Sequence, residues 1–345
     1  MKKTGKIALS VAALLIVFGL LFCAIAVTQG ADLVQLWENG AFSVQVDSVN
    51  YGLWGDAGYA VCEDGELSFD PEEVWSLDLS WVAGSVSVES YDGNTLLLRE
   101  ECARELREGQ RMRWKLSGQT LSVRYCASGE SKVPAKQLTV LVPNGWAREE
   151  VTVDATSADV SFKGLRVNET LSADVTSGKV RVSGCSASGL RVNTTSGNVE
   201  IEDAEIRGTA WVDTTSGTVG LRQLTCGKLD ADTTSGNIDF EGLASEIDVD
   251  TTSGRVSLQG LPDDCAVNVD TVSGDVSLQF AGTAKKVTVD TTSGTVRLSF
   301  PEGTGLDLDY DTVSGRLSGD VQHDSKGGVP VRVNTVSGDL RVEYE

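Results

Sequence analysis

From about residue 150 onward, apolar and polar residues alternate in short runs, and the runs return roughly every twenty residues. Around Gly254, Ile247, Val249 and Thr251 alternate with Asp248 and Asp250; after the glycine, Val256 and Leu258 alternate with Ser257 and Gln259. A period of two on β-branched residues predicts strands, two short ones in each repeat. The same inward set reads Val267, Val269, Thr271, Val276 and Leu278, then Val287, Val289, Thr291, Val296 and Leu298, and again Val331, Val333, Thr335, Leu340 and Val342. Helical periodicity is missing from these repeats.

Between the two strands of each repeat lies a corner of the form Asp-Thr-Thr-Ser-Gly. Its glycines are Gly178, Gly197, Gly217, Gly236, Gly254, Gly274, Gly294, Gly315 and Gly338, preceded by a first copy that ends in Ala158. Successive glycines are 19, 20, 19, 18, 20, 20, 21 and 23 residues apart. A fixed period that tolerates single insertions is the mark of a solenoid. The glycine after serine is expected because the corner calls for a positive φ, which glycine adopts at little cost. One coil buries too few side chains to offset the ordering of twenty residues, so the coils must stack. The fold expected is all-β, a single-stranded parallel β-solenoid of about 20 residues per coil. At ~4.8 Å per coil, ten coils extend roughly 45 to 50 Å.

The rest of the chain divides around this stack. Residues 1–30 open with Lys2, Lys3 and Lys6, and Ile7 to Val27 follow without a charge, long enough for one N-terminal transmembrane helix. Ala24-Ile25-Ala26 offers a cleavage site, so the segment is read as a retained anchor or a cleaved signal. Either way the body is exported, with the N-terminus cytoplasmic by the lysine bias. Phe22 before Cys23 argues against lipidation. Residues 31–76, which hold Trp37, Tyr51, Trp54 and Tyr59, read as an N-terminal cap, with a sugar-stacking aromatic platform as the alternative. Residues 77–149 read as irregular first coils: Leu77 to Val88 turns at Gly84 with Trp81 inside, and Trp114 to Val123 turns at Gly118. Between them, Arg99 to Gln110 is a charged loop or short helix, and Pro143-Asn144-Gly145 is the turn leading into the regular coils of residues 150–345.

A net charge of -21 makes the chain a poor ligand for nucleic acid. Seven cysteines with no C-x-x-C pair and a lone His323 argue against structural zinc. Cys102 and Cys126 flank one insertion and are placed to bridge. Cys185, Cys226 and Cys265 lie about two coils apart, too far to pair, and read as small buried residues.

Stacking sets Asp213, Asp232, Asp250, Asp270, Asp290 and Asp311 in one column, where like charges ~5 Å apart repel. Two readings relieve this. Each carboxylate accepts hydrogen bonds from its own corner, or calcium sits between coils. The nonapeptide spacing of calcium-binding coils is missing, and Asn193 and Asn334 replace two carboxylates, which favours capping. The inward threonines are expected to form a hydroxyl ladder. Pairs such as Asp230 with Asp232, Asp248 with Asp250 and Asp309 with Asp311 are of the kind that lyases place on β-helices. They recur with the repeat, as architecture does, and no coil gathers a base, an acid and a cation. No catalytic residue and no cofactor are therefore assigned.

The N-terminal segment, the Trp81-Val82-Ala83-Gly84-Ser85-Val86 opening, the Val140-Leu141-Val142-Pro143 strand and the serial Thr-Ser-Gly-x-Val corners resemble a family of bacterial candidate adhesins. The resemblance spans Leu77 to Glu345. It implies a membrane-anchored β-solenoid of the cell envelope, some members being encoded beside envelope-stress genes, and it carries over no catalytic residue. The expected role is a non-catalytic adhesin-like or envelope scaffold, in contact with a cell-wall or surface glycan or an envelope protein. The alternative is a polysaccharide-binding or polysaccharide-active β-helix, favoured by a groove that clusters Asp, Arg and Trp. Leu340 to Tyr344 is expected to be an open edge for end-to-end self-association.

Overall fold

The computed structural model describes residues 57–146 and 148–345. The expected membrane segment, Cys23, Trp37, Tyr51 and Trp54 lie outside the described residues. Among those described, no helix is long and apolar enough to cross a membrane.

Each regular coil pairs in parallel with the coil before and after it, residue on equivalent residue. Val199–Ser216 pairs with Val219–Ser235, which pairs with Ile238–Ser253. The inward positions of one coil, Val219, Leu221, Leu224, Cys226, Leu229, Ala231 and Thr233, are all buried. That run has three parts, and the central coils therefore have three strand segments and not two. The additional side is short, with Ala204 to Ile206 on Leu224 to Cys226 and those on Gly242 to Ala244. Three residues are too few for alternation to stand out in sequence.

The corner glycines answer two demands. Gly217 and Gly254 hold φ at +150°, where side chains are disfavoured, whereas Gly197 and Gly236 have no positive φ. What all four share is close approach. A Cβ on any of them would lie within 2.1 Å of the carbonyl oxygen of the corner glycine in the coil below. The positive φ expected of every corner is thus a property of alternate coils from Gly178 to Gly294, and contact between coils is the general cause.

Sequence order and stacking order part company at both ends. Ser76–Tyr91 lies directly on the regular stack, paired with Arg148–Lys163, while Thr120–Arg124 and Lys136–Pro143 lie outside it. At the other end, Val329–Thr335 pairs with Lys286–Ser293 on one side and Leu306–Thr312 on the other. Leu340–Tyr344 likewise lies between Val296–Phe300 and Leu317–Ser318. The expectation that Leu340 to Tyr344 is the open edge is corrected: Leu340 and Arg341 are paired on both sides, and Val342–Tyr344 pairs on one. The outermost coil is Leu306–Thr312 with Leu317–Ser318.

The N-terminal end is covered by antiparallel strands. Leu96–Glu101 pairs with Lys136–Pro143 and carries Glu66–Phe69; Arg113–Ser117 pairs with Thr120–Arg124 and carries Ala60–Val61. Of the charged insertion only Arg99–Glu101 is strand; the rest is loop ending in a single 3-10 turn at Glu108–Gln110. Trp81 is buried against Tyr125, edge to face at 4.8 Å between ring centroids. Beside them lies Lys136, 1% exposed. Its Nζ donates to Glu100 Oε1 at 2.5 Å, to the Gln110 carbonyl at 2.8 Å and to the Tyr125 carbonyl, and the ammonium lies 4.2 Å from the Tyr125 ring centroid. Burial lowers the Lys136 pKa, and the Glu100 carboxylate opposes that shift. No disulfide joins Cys102 and Cys126; the Cys102 thiol points at the Ala135 carbonyl. Tyr59, the described member of the aromatic group, has the Arg124 guanidinium 3.9 Å from its ring centroid.

Candidate functional site

Register places the repeat aspartates where the sequence put them, on the outward side of one strand. In stacking order the column reads Asp154, Asp174, Asn193, Asp213, Asp232, Asp250, Asp270, Asp290, Asn334 and Asp311. Asn334 thus separates Asp290 from Asp311, and its Nδ2 donates to Asp290 Oδ1 at 2.6 Å. Two residues earlier runs a second outward column: Trp211, Asp230, Asp248, Asn268, Thr288, Arg332 and Asp309.

Repulsion is relieved differently from the corner capping expected. Asp213, Asp232, Asp290 and Asp311 take no hydrogen bond from their own corners. Amides and cations interleave between carboxylates instead. Asn268 Nδ2 donates to Asp248 Oδ1 at 2.8 Å and Asp270 Oδ2 at 3.4 Å. Lys228 Nζ lies 3.0 Å from Asp230 and 3.6 Å from Asp248, and Arg332 Nε lies 3.7 Å from Asp309. Where neither intervenes, a carboxyl holds its proton more tightly. Burial, then Asp250, Asp230, Asp213 and Asp248, push Asp232 to a pKa of about 7. Burial likewise raises Asp213, and burial with Asp78 and Asp174 raises Asp154. Among the described residues, no group of three or more acidic, histidine or cysteine side chains could hold a metal ion.

Capping is done one position past the glycine. Asp159, Asn198, Asn237, Asp275 and Asp339 each accept, through Oδ1, the backbone amide of the equivalent residue one coil on: Lys179, Thr218, Arg255, Thr295 and Arg316, at 2.8 to 3.0 Å. Acceptors and donors alternate along the stack. Sequence reasoning passed over these residues because their type changes from repeat to repeat, although that change is the signal.

The expected hydroxyl ladder does not form. Thr194, Thr214, Thr233, Thr251, Thr271 and Thr335 do face inward, yet their Oγ1 atoms have no hydrogen-bond partner. Coils stack ~4.8 Å apart, whereas an O–H···O bond needs ~2.8 Å, so hydroxyls one above another cannot meet. Thr291 instead donates to the Ser293 carbonyl within its own corner.

Four of the buried thiols are suppressed as nucleophiles. The thiols of Cys62, Cys185 and Cys265 are pushed up to about 11 and that of Cys226 to about 12, mainly by burial, so none is thiolate at neutral pH. His323 is exposed in the loop that follows Gly319. The polar groups gather differently at another corner, where a groove runs between Arg166 and Gln223.

Parallel pairing in register, columns of like residues and corners of close-packed glycine define the class as a parallel β-solenoid. The chain belongs to the Toastrack DUF4097 family, whose model matches residues 104–267 and 243–343. No curated protein matches it. Among solved structures it is similar to a candidate adhesin from Bacteroides fragilis, at 13% identity and a TM-score of 0.35, over 81% of this chain and 96% of that one. It is also similar to a candidate cell adhesion protein from Clostridium sporogenes, at 9% identity and a TM-score of 0.18, over 81% of this chain and 99% of that one.

Proposed function

We propose that this protein is a non-catalytic, adhesin-like module of a bacterial envelope, its solenoid displayed outside the membrane as a contact surface. The observation that carries the reading is the unbroken register of outward columns from Asp154 to Asp311. A surface repeated at one spacing suits a polymeric or multivalent partner better than a single small molecule. The raised thiol pKa values and the solitary histidine agree with a role without chemistry. The N-terminal lysines and uncharged run support a location in the membrane with the body outside.

Two measurements test this. Full-length protein in mild detergent is expected to co-sediment saturably with isolated bacterial envelopes, and absence of pelleting defeats the contact-surface reading. Protease added to intact expressing cells is expected to degrade the solenoid; full protection would put the body inside.

A further inference from the structure

One corner of the middle coils departs from the acidic character of the protein. Between residues 160 and 230, eight Lys and Arg balance eight Asp and Glu, whereas residues 231 to 345 hold eight basic against twenty acidic residues. In the balanced part lies a groove of about 680 Å³ lined by Arg166, Asp203, Glu205, Gln223 and Thr225, continued by a second hollow of about 250 Å³ along Asn168 and Arg207.

The backbone here is held in an uncommon form. Gly164 and Gly184 turn with φ of +66° and +61°, and the next two coils place Asp203 and Gln223 at +54° and +50°. Glycine would make these turns at lower cost, so both polar side chains are kept in a conformation that disfavours them. Arg207 is also fixed in place. Its Nη2 donates to the Asn168 carbonyl at 2.9 Å and to Ser188 Oγ at 2.7 Å, which leaves Nε and Nη1 as further donors. Next to Ser188, Gly189 has the Trp211 ring against it, 3.6 Å from where a Cβ would stand. That indole is 37% exposed, with the Arg191 guanidinium 5.1 Å from its centroid.

We propose that this groove binds an uncharged glycan chain that is held by Arg166, Asp203, Glu205 and Arg207 and runs out past Ser188 to stack a further sugar on Trp211, which lies outside both hollows. Sugar hydroxyls donate and accept, and the groove supplies both kinds of partner, carboxylates and guanidiniums, on planar groups. An apolar pyranose face suits an exposed indole. Two arginines against two carboxylates leave no net charge to attract an ionic polymer, and the acidic body repels an anionic one. The inference deepens the adhesin reading and rests on it only for the biological setting.

Calorimetric titration of the full-length protein with cellohexaose, chitohexaose and an oligogalacturonate tests it. At least one neutral hexasaccharide is expected to bind and the galacturonate to fail. Trp211→Ala should weaken binding at least tenfold and Arg166→Ala at least threefold, with Trp211→Phe close to wild type and all three melting normally. No heat with either neutral sugar, or equal affinity in Trp211→Ala, overturns the proposal. If neither neutral hexasaccharide binds while envelopes still pellet the wild type, the groove fails and the adhesin reading stands. If hexasaccharide binding depends on Trp211 while envelopes pellet nothing, the adhesin reading fails alone.

Discussion

The two ends of the solenoid face one problem and meet it differently. A terminal coil exposes unpaired backbone groups, which invite another chain to add to the stack. At the N-terminal end, antiparallel strands close the edge and a buried Lys136–Glu100 pair lies beneath them. At the C-terminal end, the strand Leu306–Thr312 has a short contact with His323 beside Leu306, and its remaining length carries exposed Asp307, Asp309 and Asp311. The first end is covered and the second is charged. Covering needs added chain and a core of its own; charge needs only three side chains, and it works by repulsion between copies.

The largest effect expected on this comparison is at the covered end. Glu100→Leu leaves Lys136 enclosed without its counter-ion and should cost about 3–5 kcal/mol in denaturant melts. Adding Lys136→Met should recover most of the loss, whereas a loss under 1 kcal/mol would show the pair to be idle. At the charged end, replacing Asp307, Asp309 and Asp311 together by Val should turn a monomer into concentration-dependent oligomers in sedimentation velocity. An unchanged monomer would mean that the edge is guarded by something other than charge. A smaller effect follows from Asp339→Ala, which removes the 2.9 Å acceptor of the Arg316 amide. It should cost about 0.5–1.5 kcal/mol, seen as faster amide exchange across Leu306–Thr312 and little change in the coils around Asp232.

The smallest effect belongs to the middle of the stack, which serves as a reference for both ends. The fold holds Asp232 at a pKa of about 7, above its ordinary 3.8. Between those values the native chain binds a proton that the unfolded chain has lost, so stability from this group falls as pH rises from about 4 to 7. Asp232→Asn should match wild type near pH 3.5 and exceed it above pH 7, by about 1 kcal/mol or less once solvent screening is counted. A variant that is less stable than wild type at pH 8 would reverse the sign and refute the assignment.

Much of this architecture is legible in the chain. The inward sets around Val249, Val269 and Val289, the corner glycines and the aspartate column follow from periodicity alone. Stacking order does not, because a repeat states which residues align and is silent on which coil lies next. Had the residue after each corner glycine been read, Asp275, Thr295, Asp339 and Arg316 alternate as acceptor and donor only in the observed order. Lys136 was hidden for a different reason: its partners come from Glu100, Gln110 and Tyr125, distant positions that no local pattern connects. The groove was equally hidden, since Arg166, Asp203 and Gln223 meet only across coils.

The inserted last strand also has a consequence for how the molecule is made and how its gene can grow. Leu340–Tyr344 is seated on Val296–Phe300, and its first two residues also carry the earlier Leu317–Ser318. A ribosome must make Val329–Thr335 and Leu340–Tyr344 before the earlier Leu306–Thr312 and Leu317–Ser318 have strands to rest on, so the outermost layer closes after the layer beneath it. A repeat duplicated among the regular coils keeps the register of its neighbours, while one inserted between Leu306–Thr312 and Val329–Thr335 would disturb the pairing that seats the outermost coil.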